Sequence, residues 1–335
     1  MSGKDMVSLE YRKLISFGKN SFVISLPKSW VRQNNLQKGA LIYVDERENN
    51  LVLSIGNRQE TQERVKEIPV DGKSIRRLKR EIISSYIKDY KVITLFGDEL
   101  KDKAKEIQDT IQNLMALEVM EQTSKKIVAR DFLDMNNISL INLIRKIDVI
   151  IRAMVEDCEK MFLEDDYESI SHRDNDINRL TFLVFRVVEF GLNNSSFMYK
   201  KHNLTSQKLL TYWWGVFHLE SIGDDVKRIS RHMRNIALDA KQKERFLKLF
   251  AFAKESYLKV LKGFYSEDLE LVHDVLDLKE ELIGDCEEFY QDNKKVESVG
   301  LLMERLKSMV TEVYSLGRVI YQSDIGEKGE EGNFR

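Results

Sequence analysis

The side chains best placed to do chemistry in this 335-residue chain are charged ones, not nucleophiles. Residues 1–40 hold Lys4, Arg12, Lys13, Lys19, Lys28, Arg32 and Lys38 against only Asp5 and Glu10, whereas the whole chain has a formal charge of -2. A basic element on an otherwise acidic protein draws polyanions to one place instead of everywhere. The competing reading is a solvated strand edge, where such residues merely keep the edge from pairing. Far downstream, LESIGDDVKRI at 219–229 sets Glu220 and Asp224 four residues apart. With Ile222, Val226, Ile229 and Met233 facing a core, a rotation of about 100° per residue puts both carboxylates on the opposite face. Like charges one turn apart repel by about a few tenths of a kcal/mol. On a solvated face, Asp224 pairs with Arg228, and Glu220 with Lys227 or water.

Other chemistries find little to work with. Cys158 and Cys286 are the two cysteines, both within apolar helical patterns and neither at metal or redox spacing, so they read as small buried residues. His172, His202, His218, His232 and His273 are scattered without an HxxxH or HExxH pairing. Gly72 and Gly97 stand alone instead of forming a phosphate-cradling loop. The chain is therefore not expected to be an enzyme.

The elements that must position these residues fall into three stretches, as the length suggests. With 42% hydrophobic and 32% charged residues the composition is that of a soluble globular protein. No run approaches the roughly 18 to 20 apolar residues that span a bilayer. The start MSGKDMVSLEYRK has no apolar signal core, so a cytoplasmic location is expected. Residues 8–57 read as strand, turn, strand, short helix from Pro27, turn, strand, turn, strand, too little core to stand without dimerisation. Residues 66–135 alternate as β-α-β-α-β-β, a small α/β sandwich. From 137 to 322 apolar residues recur every three or four positions, with no proline after Pro69 to interrupt a helix. Helices are predicted over about 140–162, 170–192 and 205–238, then 247–264, 269–289 and 299–320. These make two three-helix repeats, about 137–238 and 242–322. Residues 323–335 are expected to be a disordered tail. The fold class is thus multidomain α+β.

The head resembles the AbrB/MazE/SpoVT swapped-hairpin DNA-binding family in RKLISFGKNSFVISLPKSWV, LQKGALIYV and LVLSI. The resemblance implies a dimeric β-barrel in which two chains exchange hairpins, with Arg12, Lys13, Lys19, Ser21, Lys28 and Arg32 meeting double-stranded DNA. Its phosphate contacts would release counterions, with amides at the start of the Pro27 helix assisting. The helical body resembles the PhoU phosphate-signalling regulators in its tandem layout and in LESIGDDVKRI, similar to that family's ERIGD segment. That resemblance implies a divalent, iron or zinc ion on acidic pairs at this spacing. Glu220 and Asp224 match it, Asp277 and Glu281 keep it in the second repeat, and Asp174 pairs with Asn178 in place of a second acid.

Together the two resemblances imply a homodimeric regulator of transcription whose body senses phosphate status, directly or through transporter or signalling components. The alternative is a PhoU-type adaptor acting on a phosphate transporter or signalling protein, with the head used for dimerisation only.

Overall fold

The computed structural model describes residues 11–19, 21–47, 50–55 and 63–328. Residues 8–10, 20, 48, 49, 56 and 57 of the expected head lie outside these. The chain divides into two compact units, before and after residue 62/63.

In the first unit, β1 (Ile15–Phe17) and β2 (Ser21–Val23) form an antiparallel hairpin in the register Ile15↔Val23, Ser16↔Phe22 and Phe17↔Ser21. Gly18 takes φ +71 in the turn, a conformation that any side chain would strain. α1 (Lys28–Gln33) follows Pro27, which sits at the N-cap position in extended conformation and not inside the helix. After Gly39, at φ +88, β3 (Ile42–Arg47) and β4 (Asn50–Ile55) make a second antiparallel hairpin. Within one chain these are two separate two-stranded sheets, and the barrel expected from sequence is one that two chains make together.

The second unit begins with the α/β layer. Its elements are β5 (Val65–Pro69), α2 (Ile75–Ile87), β6 (Val92–Phe96), α3 (Leu100–Gln112), β7 (Leu117–Gln122) and β8 (Lys126–Asp131). The sheet order is β5-β6-β8-β7, with β5 and β6 parallel and the other pairs antiparallel. α2 is the crossover that a parallel pair requires, started by Ser74, whose hydroxyl accepts from the Arg77 amide. Ile68, Ile93, Leu95, Ile127 and Ala129 of the sheet bury against Leu78 and Ile82 of α2 and Ile107 and Ile111 of α3.

The helical part follows as α4 (Leu140–Lys160), α5 (Tyr167–Asn193), α6 (Ser195–His202), α7 (Ser206–Met233), α8 (Ala240–Ser266), α9 (Leu269–Asp277), α10 (Lys279–Asn293) and α11 (Val299–Lys328). Helices of 27 or 28 residues are about 40 Å long, which the lack of proline permits. α7 packs along both α5 and α11 and so joins the two repeats. Asp239 and Gln242 form a reciprocal capping box at the start of α8.

Three expectations change. The second-repeat middle helix breaks at Leu278 into α9 and α10, and α6 adds a short helix to the first repeat. α11 runs on through Lys328, six residues into the expected tail; residues 329–335 lie outside the described ones. The sandwich and the helices belong to one unit, with no break near 135.

The join between them has a physical cause. Arg186 of α5, fully buried, donates through Nη2 to Asp131 (2.6 Å) at the end of β8 and to Asp89 (2.7 Å) beyond α2. Lys91 completes the network on Asp131 at 2.7 Å and Asp89 at 3.2 Å. The guanidinium lies 4.5 Å from the centre of the Tyr86 ring, whose hydroxyl donates to the Met115 carbonyl. Burial pushes the Tyr86 phenol well above its ordinary range. Cys158 and Cys286 are buried as expected, and burial lifts the Cys286 thiol to about 12, which leaves it unreactive. Among the described residues no helix is long and apolar enough to cross a membrane.

Candidate nucleic-acid interface and acidic crevice

In the head, backbone geometry distributes the cations over three places. Arg12 and Lys13 lead into β1, Lys19 and Ser21 flank the hairpin turn, and Lys28 and Arg32 sit one turn apart on α1. All six side chains are exposed.

The apolar residues between them are exposed as well. Leu14 (66%), Phe17 (70%) and Phe22 (68%) are open to solvent, as are Ile15, Val23 and Ile24. No described residue of this unit is buried. Cross-strand pairing puts Ile15, Phe17 and Val23 on one face of the first hairpin, and the continued register puts Leu14, Phe22 and Ile24 on the other. A two-stranded ribbon that is apolar on both faces needs cover on both. The second hairpin offers one such face: Ile42, Val44, Leu51, Leu53 and Ile55 fall on the same side through their pairing.

The body brings Glu220, Asp224 and Asp174 together in the crevice between α5 and α7. Ile222, Val226, Ile229 and Met233 are buried, as expected, and the carboxylates lie off that face. Gly223 lets the helices approach closely, since a Cβ there would meet Ile177 Cδ1 of α5 at 2.9 Å. Lys227 donates its ammonium to Asp174 and stands 3.9 Å from Asp224, while Arg228 holds Asp224 at 2.6 Å. Asn178 adds a long 3.4 Å contact to Asp174. The solvated-face reading left Glu220 to Lys227 or water; the structure pairs Lys227 with an acid 53 residues away, across the crevice.

The electrostatics follow from that packing. Burial, then the negative charges of Asp224 and Asp174, push the Glu220 carboxyl up to about 7. Burial also raises Asp174, partly offset by Lys227. Asp277 ends α9 and Glu281 lies in the first turn of α10, both exposed and on different helices. Among the described residues no group of three or more His, Cys, Asp or Glu side chains is placed to hold a metal ion. The donor set in the crevice does not fit one as it stands, because the ammonium of Lys227 and the guanidinium of Arg228 already balance Asp174 and Asp224.

Sequence reasoning missed two pairs between α7 and α11. Asp225, 2% exposed, lies 3.5 Å from Arg305, and His218 Nδ1 is 2.7 Å from Glu312. The signal for Asp225 was present, since an acid adjacent to Val226 on the apolar side of α7 has to be paired. Trp213, set on the carboxylate side by helical rotation, stacks on Phe185 of α5 with ring centres 4.2 Å apart.

Comparison with curated proteins and with solved structures finds no match. Residues 15–58 match the family described as "Antidote-toxin recognition MazE, bacterial antitoxin". The match begins at the first residue of β1 and runs just past the end of β4. The two hairpins and the short helix between them are thus the part of this chain that is similar to the MazE family.

Proposed function

We propose that the protein is a DNA-binding regulator of transcription in which two chains combine their heads into one β-structure that grips duplex DNA. The observation that carries this reading is the hairpin that is apolar on both faces and covered on neither, flanked by Arg12, Lys13, Lys19, Lys28 and Arg32. A second copy supplies the missing cover and doubles the cations presented to the phosphates. Ser21 and the side chains of α1 then fix the register on the backbone. No step requires catalysis.

The finer reading is a regulator of phosphate uptake with a PhoU-like body, acting in the cytoplasm. Support comes from a helical body with four helices in each half and from LESIGDDVKRI on α7, whose Glu220 and Asp224 meet Asp174 in a crevice. In the competing adaptor reading the body docks on a transporter or signalling protein and the head only dimerises. The exposed apolar faces favour dimerisation under both readings, so DNA binding has to be tested separately.

A gel shift of the full chain on genomic duplex fragments across a salt series does this. Each phosphate contact adds about 0.9 to the slope of log K against log salt, so Arg12→Ala/Lys13→Ala/Lys28→Ala is expected to weaken binding by roughly 100-fold or more and to flatten the slope. Binding that is unchanged and insensitive to salt in the triple variant leaves the adaptor.

A further inference from the structure

A cavity of about 430 Å³ opens between the two helical repeats, away from the acidic crevice. It lies where the N-terminus of α4, the first turn of α7, the end of α8 and the start of α9 converge. That volume is within the range of sites for small organic molecules.

Its lining combines cations with aromatic rings. Arg145 and Lys208 face it, against Glu267 as the one carboxylate among the described lining residues. His202 also lines it, and its buried Nε2 makes no hydrogen bond. Ser139, at the N-cap of α4, provides no side-chain bond to the first-turn amides, so this 21-residue helix turns an uncapped positive end toward the same space. An aromatic wall of the cavity carries Tyr212, Phe264 and Tyr265, with ring centres 6.4 Å apart for Tyr212 and Phe264 and 5.2 Å for Phe264 and Tyr265, and the Arg145 guanidinium lies 5.5 Å from the centre of Tyr265. Inorganic phosphate would engage the cations and leave this wall wet. An anion carrying a flat body would use both.

We propose that this cavity binds a small organic phosphate with a planar body, of the size of a nucleoside monophosphate. The phosphate meets Arg145, Lys208 and the α4 amides, and the ring packs against the aromatic wall. Because α4 and α7 belong to the first repeat and α8 and α9 to the second, the ligand bridges the two. Ser139 also follows directly on the connector from β8, so occupancy bears on the segment leading to the α/β layer. Any effect on DNA binding rests on the regulator reading; the binding itself does not.

Calorimetry and thermal shift on the full chain with adenosine, guanosine, cytidine and uridine 5′-monophosphates test it. At least one is expected to bind with a dissociation constant below about 1 mM and to raise the melting temperature. Arg145→Ala and Lys208→Ala are each expected to weaken it by about tenfold or more, with Arg145→Lys retaining part of the affinity and far-UV circular dichroism unchanged throughout. Failure of all four nucleotides overturns the proposal. So does equal affinity in the alanine variants, or displacement of the nucleotide by inorganic phosphate at matching concentration. A variant set that loses nucleotide binding but keeps the salt-dependent gel shift separates this site from the head.

Discussion

The head and the body differ in how their apolar residues are used. The body closes two cores of its own, one between sheet and helices around Ile93 and Ile127, the other through both helical repeats around Ile151, Ile222 and Phe250. The head has Leu14, Ile15, Phe17, Phe22, Val23 and Ile24 in one hairpin and buries none of them within a single chain. Similar residue types thus give a self-sufficient fold in one region and an unfinished one in the other. Whether an element can cover its faces with its own chain decides the outcome: a 28-residue helix finds neighbours in its own repeat, while a six-residue ribbon does not. Stability in the body is therefore intrinsic, and on the proposed pairing of two heads the stability of the head is tied to chain concentration.

The sharpest way to break the comparison is to make the body depend on something as the head does. Arg186 is the place, since the side chain of Asp131 beside it is fully buried and would keep Lys91 as its cation and the Leu133 amide as a donor. Arg186→Ala is expected to cost about 3–5 kcal/mol in urea unfolding, because removing one partner strands a buried charge. The α/β layer should then melt separately from the helices in calorimetry. A single unchanged transition would mean that the contact between α2 and α5 holds the two parts together without the ion pairs.

The converse test puts a charge on the head. Phe22→Asp is expected to destabilise the assembled head by about 2–4 kcal/mol per chain, since a carboxylate would have to be covered without a partner. Sedimentation should shift toward single chains and limited proteolysis should cut within residues 11–55, with the body transition unmoved. A variant that sediments as the wild type does and resists protease equally would show that Phe22 faces solvent in the working protein.

The same contrast governs what could be read from sequence. Helices α4, α5, α7, α8 and α11 were legible, with α8 starting seven residues earlier and α11 ending eight residues later than expected, because a period near 3.6 sustained over 20 residues is a strong local signal. The β-α-β-α-β-β order was legible too, since each element carries its own pattern. The head hairpins were placed by their turns, the first at Gly18 and the second at the polar ERENN segment that follows Val44 and Asp45. What stayed hidden depends on residues far apart in the chain. Lys227 was one of two partners offered to Glu220 on its own helix, water being the other, whereas packing at Gly223 carries it to Asp174 on α5. The break at Leu278 has no glycine or proline to announce it. Arg186 did leave a trace: an arginine inside TFLVFRVVEF, flanked by the buried Val184, Val187 and Val188, has to be answered by acids somewhere. Which acids those are, Asp89 and Asp131, only the fold decides.

The smallest effect is expected at Glu220, and it sharpens the comparison by marking one transition as the body's. The folded carboxyl titrates at about 7 and the unfolded one near 4.5, so the folded state holds the proton more tightly between those values. Stability contributed by the protonated form is fully present below about pH 4.5 and is lost as the pH rises through 7. At pH 8 ionised Glu220 therefore opposes folding, beside Asp224 and Asp174. Glu220→Gln keeps the shape and removes the charge, and should stabilise the body by about 1–2 kcal/mol at pH 8 after allowance for solvent near this half-buried group. The gain should shrink toward zero by about pH 4.5, in the body transition alone. A gain that persists at low pH would place its cause in packing and not in titration. A gain that is absent at pH 8 would mean that Lys227 and Arg228 already neutralise the crevice, with Glu220 ionised at no cost.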